Sequence, residues 1–302
     1  MARAIERIER DIAALEEAIR AIAVELQSAY ASYLNTLGLA VRKQLILASY
    51  HLCTQGYPEN FLHLSLNQRQ QLQQAIRKLG QLAAEQLLIY IKSEETGEDE
   101  GDEGDEGDEG DEGDEEDGED GENEGDGEDG RVTASSSPIT LGTSIPEPIT
   151  PDTSSPIELA KWQQKLEEVT QEVLKKLSHD ANLLLQKAGV LPKKLPEPIL
   201  AAAAAAASEA SAEVMPGPPN LLNLVIEIEN EQQSEDSGLT QLMAINLRLG
   251  EIEFADVTLS SERRQIRSIL VQLNKLGREY QKKHREKAIA EAEAAWRASW
   301  FE

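Results

Sequence analysis

Apolar residues recur through residues 3–34 in alternating steps of three and four: Ile5, Ile8, Ile12, Leu15, Ile19, Ile22, Leu26, Ala29 and Tyr33. Such a run without a slip predicts a narrow apolar seam on one helix, about 50 Å long at 1.5 Å per residue. Arg7, Arg10, Asp11, Glu16, Glu17 and Arg20 fall on its other faces. A helix with a single stripe cannot bury that stripe alone. It requires another helix, from this chain or from a second copy. The residues from Ile5 to Leu26 are therefore the candidate association seam.

The pattern continues beyond it. Gly38 predicts a bend or break near Thr36–Gly38, after which Val41, Leu45, Ala48 and Leu52 resume the stripe, widened by Ile46 and Leu47. Gly56-Tyr57-Pro58 ends that helix, because proline disfavours helical geometry in the residue before it. Ser65 with Gln68 forms a capping box for a third helix along Leu72, Ile76, Leu79, Ala83, Leu87 and Tyr90. Ser155-Pro156-Ile157-Glu158 is a strong helix start. Leu159, Trp162, Leu166, Val169 and Val173 follow at helical spacing, and Gly189 and Pro192 stop the helix. Ala201–Ala207 predicts a weak, all-small helix.

Residues 220–258 admit two readings. Leu242, Ile245, Leu249 and Ile252 suit a helix. Ile245, Leu247 and Leu249, then Ile252 and Phe254, suit two strands turning at Gly250-Glu251. Helix is expected, because every other element is helical and an isolated hairpin is marginal. A last helix is expected from Ser260 or Ser261, with a seam of Ile266, Ile269, Leu273, Leu276 and Tyr280. It ends in Trp296 and Trp300, one turn apart.

Charge divides the chain. Its 302 residues carry 56 acids and 29 bases, a formal charge of -27. Residues 94–130 hold 24 of the acids and no base; the other 265 residues are nearly neutral. A Gly-Asp-Glu repeat from Gly101 to Glu115 combines like-charge repulsion with glycine entropy and offers no apolar compensation, which predicts a disordered, extended spacer. The Ser/Thr/Pro-rich residues 131–155 predict more linker. The expected class is all-α, with coiled-coil or helical-bundle segments separated by a disordered middle. The expected divisions are 1–93, a helical unit; 94–130, the acidic tract; 131–155, a linker; 156–191, a helix; 192–237, an Ala/Pro-rich linker; and 238–302, a helical unit.

Motifs for chemistry are weak. Gly125, Gly127 and Gly130 spell a dinucleotide fingerprint, but Asp126, Glu128 and Asp129 would repel a pyrophosphate and no strand precedes them. A calcium loop from Asp120 places Gly125 sixth but Arg131 twelfth, where a bidentate Glu is required. His51, His63, His179 and His284 lack metal-ligand spacing, and His51 and Cys53 point to different faces of a helix. Aromatic content of 4% is low for an enzyme core of this length. The reading is non-enzymatic, with no cofactor, catalytic residue or metal ligand. The lone cysteine suits a reducing compartment, no secretory signal is expected, and no stretch is apolar enough to span a bilayer, so a cytoplasmic location is expected.

One charge feature remains. Residues 263–287 carry nine bases, Arg263, Arg264, Arg267, Lys275, Arg278, Lys282, Lys283, Arg285 and Lys287, against two acids. They read as a solvated face, as an acceptor for the acidic tract, or as a surface for nucleic acid or anionic membrane. Trp296 and Trp300 read as anchors for a protein partner.

At Gln44–Leu64, Leu247–Asp256 and Ala292–Glu302 the chain resembles a family of cyanobacterial helical proteins of unassigned function. The resemblance implies a bacterial cytoplasm and no activity. The functional expectation is thus a scaffold or adaptor binding protein partners or a second copy of itself. The alternative is a nucleic-acid-associated regulator that uses the basic helix and is autoinhibited by the acidic tract.

Overall fold

The seam finds its partner within the chain. A computed structural model describes residues 2–90, 155–192, 218–228 and 238–300. Helix α1 runs from Ala2 to His51, and α6 from Val257 to Ser299. Thr36 and Ser32 donate to Glu262, Arg263 to Tyr33, Tyr280 to Glu16 and Lys283 to Asp11, while Lys287 pairs with Glu9. As the α6 number rises the α1 number falls by nearly the same step, so the two helices run antiparallel in fixed register. Ile12, Ile19, Ile22 and Leu26 are buried; Ile5, Ile8 and Leu15 are half-buried, where α1 and α6 pair near their outer ends.

The expected break at Gly38 does not occur: α1 is one helix of 50 residues. Gly38 serves close approach instead. A Cβ there would lie 2.9 Å from the Ala84 Cβ. Ala84 belongs to α3 (Leu66–Ile89), and the absence of a side chain at Gly38 lets the two helix axes draw together. Gly80 of α3 packs on Arg42 and Leu45, so α3 runs antiparallel to the second half of α1. The link between them is a π-helical turn, Leu52–Gly56, followed by α2 (Pro58–His63). Ser65 and Gln68 form the expected capping box.

Helix α4 (Pro156–Lys187) begins at the Ser155 cap, whose hydroxyl accepts from the Ile157 amide. It ends with Gly189 at φ +84°, where the Val190 amide returns to the Leu185 carbonyl and both side chains are buried. Its start packs on Gly277 of α6, and its Glu167 meets Arg263, so α4 and α6 are antiparallel. The core lies where α1, α4 and α6 converge: Tyr30 sits edge-on to Tyr33 and to Trp162, with Leu34, Leu37, Leu159 and Leu166 beside them.

The helix expected through residues 220–258 is corrected in its first half. Strands β1 (Leu221–Ile228) and β2 (Gly238–Ile245) pair antiparallel, Leu221 opposite Ile245. Only then does a helix follow, α5 (Leu249–Ala255), and Gly250 lies inside it rather than in a strand turn. The linker expected over 192–237 therefore contains a strand. The hairpin is not isolated. Asn182 of α4 accepts from the Ile245 amide and donates to the Ile245 carbonyl, both at 2.9 Å, as a third strand would. The Tyr57 hydroxyl does the same for Met243. Asn220, buried at φ +60°, closes the base: its carbonyl accepts from the Asn246 amide, its side chain donates to Gln44 and accepts from the Arg248 amide. These partners supply the stability that a bare hairpin lacks.

Helix α6 starts at Val257, capped by Asp256, rather than at Ser260 or Ser261. The segments expected to form separate N- and C-terminal units belong to one unit. The fold is all-α, as expected, apart from the single described hairpin, which was not. The expected acidic spacer 94–130, the linker 131–155 except its last residue, and the alanine helix 201–207 lie outside the described residues.

Candidate functional site

Two clusters of charge stand out among the described residues: a buried node at the helix crossing and the exposed face of α6. In the node, the Arg263 guanidinium donates from Nε to Glu253 Oε1 at 2.6 Å and from Nη2 to Glu167 Oε2 at 3.0 Å, and Nη1 also binds Glu167. Nη2 donates to the Tyr33 hydroxyl at 2.7 Å, and the cationic carbon lies 4.4 Å from the centre of the Tyr33 ring. The Tyr30 hydroxyl donates to Glu167, and the Tyr33 hydroxyl to Glu253, each at 2.6 Å. One guanidinium thus ties α1, α4, α5 and α6 together.

Burial raises the Tyr30 and Tyr33 phenols well above their ordinary range, and the neighbouring carboxylates raise them further; Arg263 opposes this in part. Burial also pushes the Glu167 carboxyl upward, but hydrogen bonds from Arg263 and Tyr30 more than reverse it, and the net shift is downward. Each group is thereby held in the state its partners require: phenols protonated as donors, carboxylate charged as acceptor. That is the chemistry of a clamp. A general acid or base near neutrality requires the opposite tuning. Among the described residues, no group of three or more His, Cys, Asp or Glu could hold a metal ion. Cys53 is buried, and its thiol is pushed up to about 11, which suppresses the thiolate.

The nine cations expected on one basic helix divide. Arg263 is spent in the node, Lys283 on Asp11 at 3.0 Å and Lys287 on Glu9 at 2.9 Å. Arg264, Arg267, Lys275, Arg278, Lys282 and Arg285 are exposed and make no ion pair among the described residues. Trp296 and Trp300 are 65% and 68% exposed, with ring centroids 5.7 Å apart.

No family model, curated protein or solved structure matches the chain. No described helix is long and apolar enough to cross a membrane.

The structure therefore brings Arg263 to the seam residue Tyr33 and to Tyr30, Glu167 and Glu253, which sequence reasoning did not single out. The one signal for them was Tyr33, a seam position bearing a hydroxyl that needs a partner once buried. A second surface includes Ile46, which was expected to widen the buried stripe but is 47% exposed. Val24, Leu39, Ile46 and Tyr50 are exposed on α1. They fall within about 80° of one another at roughly 100° per residue. Beside Ile46 a depression of about 490 Å³ opens between α1 and α3, lined also by Arg42, Arg77, Lys78 and Gln81.

Proposed function

We propose that this chain is a non-enzymatic scaffold or adaptor. The observation that carries the reading is the Val24–Leu39–Ile46–Tyr50 stripe on α1, an exposed apolar face on a helix whose opposite face is already filled by α3 and α6. The polar groups of the node support it, because they are consumed in joining helices and none is tuned for proton transfer. The seam from Ile5 to Leu26 engages α6, so association through coiled-coil helices falls to the outer stripe. Its rim of Arg42, Arg77 and Lys78 suits a partner helix that presents apolar residues flanked by acids, from another protein or a second copy.

The test compares the full chain with a Val24→Asp/Leu39→Asp/Ile46→Asp variant by light scattering and by cross-linking in extract. Self-association, or a cross-linked partner, lost in a variant with unchanged circular dichroism supports the scaffold. A monomeric wild type with cross-linked products identical to the variant's overturns it. The nucleic-acid reading retains only the six unspent cations of α6.

A further inference from the structure

The six unspent cations of α6 are not scattered. At roughly 100° per residue, Arg264, Arg267, Lys275, Arg278, Lys282 and Arg285 fall within an arc of about 80°, and they extend over about 30 Å of helix. The arc lies opposite the stripe of Leu259, Ile266, Ile269 and Leu273 that faces the core. Four apolar side chains share the same arc, Val257, Val271, Ile289 and Trp296, and Trp300, the residue that caps the helix, has its ring 5.7 Å from that of Trp296; all five are exposed. One acid, Glu293, lies within the arc, and Arg297 is 3.8 Å away. Glu279 and Glu286 flank it, and Glu286 pairs with Lys283.

From this geometry we infer that the outer face of α6 docks flat on an anionic phospholipid surface. Cations alone would suit any polyanion. The apolar residues decide among them, because four of them point at the same ligand as the cations. A phosphate backbone offers nothing to Val271, Ile289 or the tryptophans. A bilayer interface offers acidic headgroups to the cations, with glycerol and acyl boundary beneath for the apolar groups, and it is where tryptophan concentrates. A straight stripe along a helix also matches a plane along its whole length, whereas duplex phosphates wind away from it. The formal charge of -27 does not forbid the approach, since exposed charges are screened beyond about 10 Å at 0.1 M salt. The inference goes beyond the scaffold reading and does not depend on it, because it uses a different helix.

The full chain is mixed with vesicles of phosphatidylcholine alone and of equal parts phosphatidylcholine and phosphatidylglycerol, and bound protein is sedimented. It sediments with the anionic vesicles and not with the neutral ones. The tryptophan emission shifts to the blue, since Trp296 and Trp300 leave water while the buried Trp162 is unaffected. An Arg264→Glu/Arg278→Glu/Lys282→Glu variant, folded by circular dichroism, loses affinity on the order of a hundredfold, given the attraction of each cation to an anionic surface. A Trp296→Ala/Trp300→Ala variant loses the blue shift. Absence of sedimentation with anionic vesicles, equal sedimentation with both compositions, or an unchanged charge-reversed variant overturns the inference. So does tighter binding to duplex DNA or to polyglutamate than to the anionic vesicles at the same salt concentration. The α1 stripe variant keeps its vesicle binding, which separates this outcome from failure of the scaffold.

Discussion

The Arg263 guanidinium stacks 4.4 Å from the centre of the Tyr33 ring and donates to its hydroxyl at 2.7 Å. The two residues are 230 positions apart, and their contact fixes α6 on α1. Removing the cation leaves the Glu167 and Glu253 carboxyl groups mostly buried without their main partner, with side chains 23% and 16% exposed. Arg263→Met is expected to destabilise the fold by about 3 kcal/mol, the usual scale for breaking a buried pair from one side. Arg263→Lys keeps the charge but loses the fork and the planar stacking, so it falls between. Urea denaturation of the three proteins checks the order; a methionine variant as stable as wild type contradicts the clamp.

The same node sets the pH limits. The folded Glu167 carboxyl lies below its ordinary value of 4.5, so the unfolded chain binds that proton first. Its stabilisation is present above 4.5 and is lost as pH falls below it toward the depressed folded value. The Tyr30 and Tyr33 phenols lie above their ordinary value of 10.0, so their contribution is present below it and is lost as pH rises beyond it. Stability against pH should decline on both sides of a plateau. Glu167→Gln should flatten the acid limb, and Tyr30→Phe/Tyr33→Phe the alkaline one, each measured by denaturant midpoints across the range.

Two glycines should respond oppositely to alanine. At Gly38 the new Cβ meets the Ala84 Cβ at 2.9 Å and the Ala84 Cα at 3.3 Å, atoms that move only with the α3 backbone. Overpacking costs about 1–3 kcal/mol, more than the gain of up to about 1 kcal/mol in helix propensity. At Gly250 nothing lies within 4 Å. Gly250→Ala should therefore raise the melting temperature, and Gly38→Ala should lower it.

Gly38 also marks how far the sequence could be read. Its spacing within the stripe was legible, its role was not, because a glycine that bends a helix and one that admits a neighbour look alike until Ala84 is known. The α1 seam was legible because its partner is a long, regular antiparallel helix, and Ile12, Ile19 and Leu26 needed only periodicity. The node was not. Tyr30 meets Glu167 at a separation of 137 residues, and no local pattern links them. The charge on α6 was countable, but a helix does not announce which side it buries. Arg263, Lys283 and Lys287 turned inward because carboxylates on α1, α4 and α5 awaited them. The hairpin was missed because its stability lies in Asn182 and Tyr57, remote from both strands.

Those two side chains make a local prediction. Asn182 satisfies both the amide and the carbonyl of Ile245, and neither has a ladder partner on that edge. Asn182→Leu leaves both unpaired, at about 1–3 kcal/mol for each group that stays buried. Tyr57→Phe does the same to Met243. Hydrogen exchange should show faster exchange of the Ile245 amide in the first variant and of the Met243 amide in the second. If both amides remain protected, the side chains are not the third strand of this sheet.

Cys53 is the lone thiol, which makes its burial directly measurable. It sits in the π-helical turn after α1, and burial pushes it up to about 11. At neutral pH the folded chain should react with a thiol reagent far more slowly than an unstructured peptide, because both thiolate fraction and access are reduced. The reaction should accelerate toward the peptide rate in urea, following the same transition as circular dichroism. Gly56→Ala provides a control: its Cβ would lie 3.0 Å from the Met243 sulfur, the end of a flexible side chain. That side chain gives way by a few tenths of an ångström, so the turn stays closed and Cys53 should keep its slow native reactivity. A thiol that already reacts at the peptide rate in the native chain would mean that the turn does not close over Cys53.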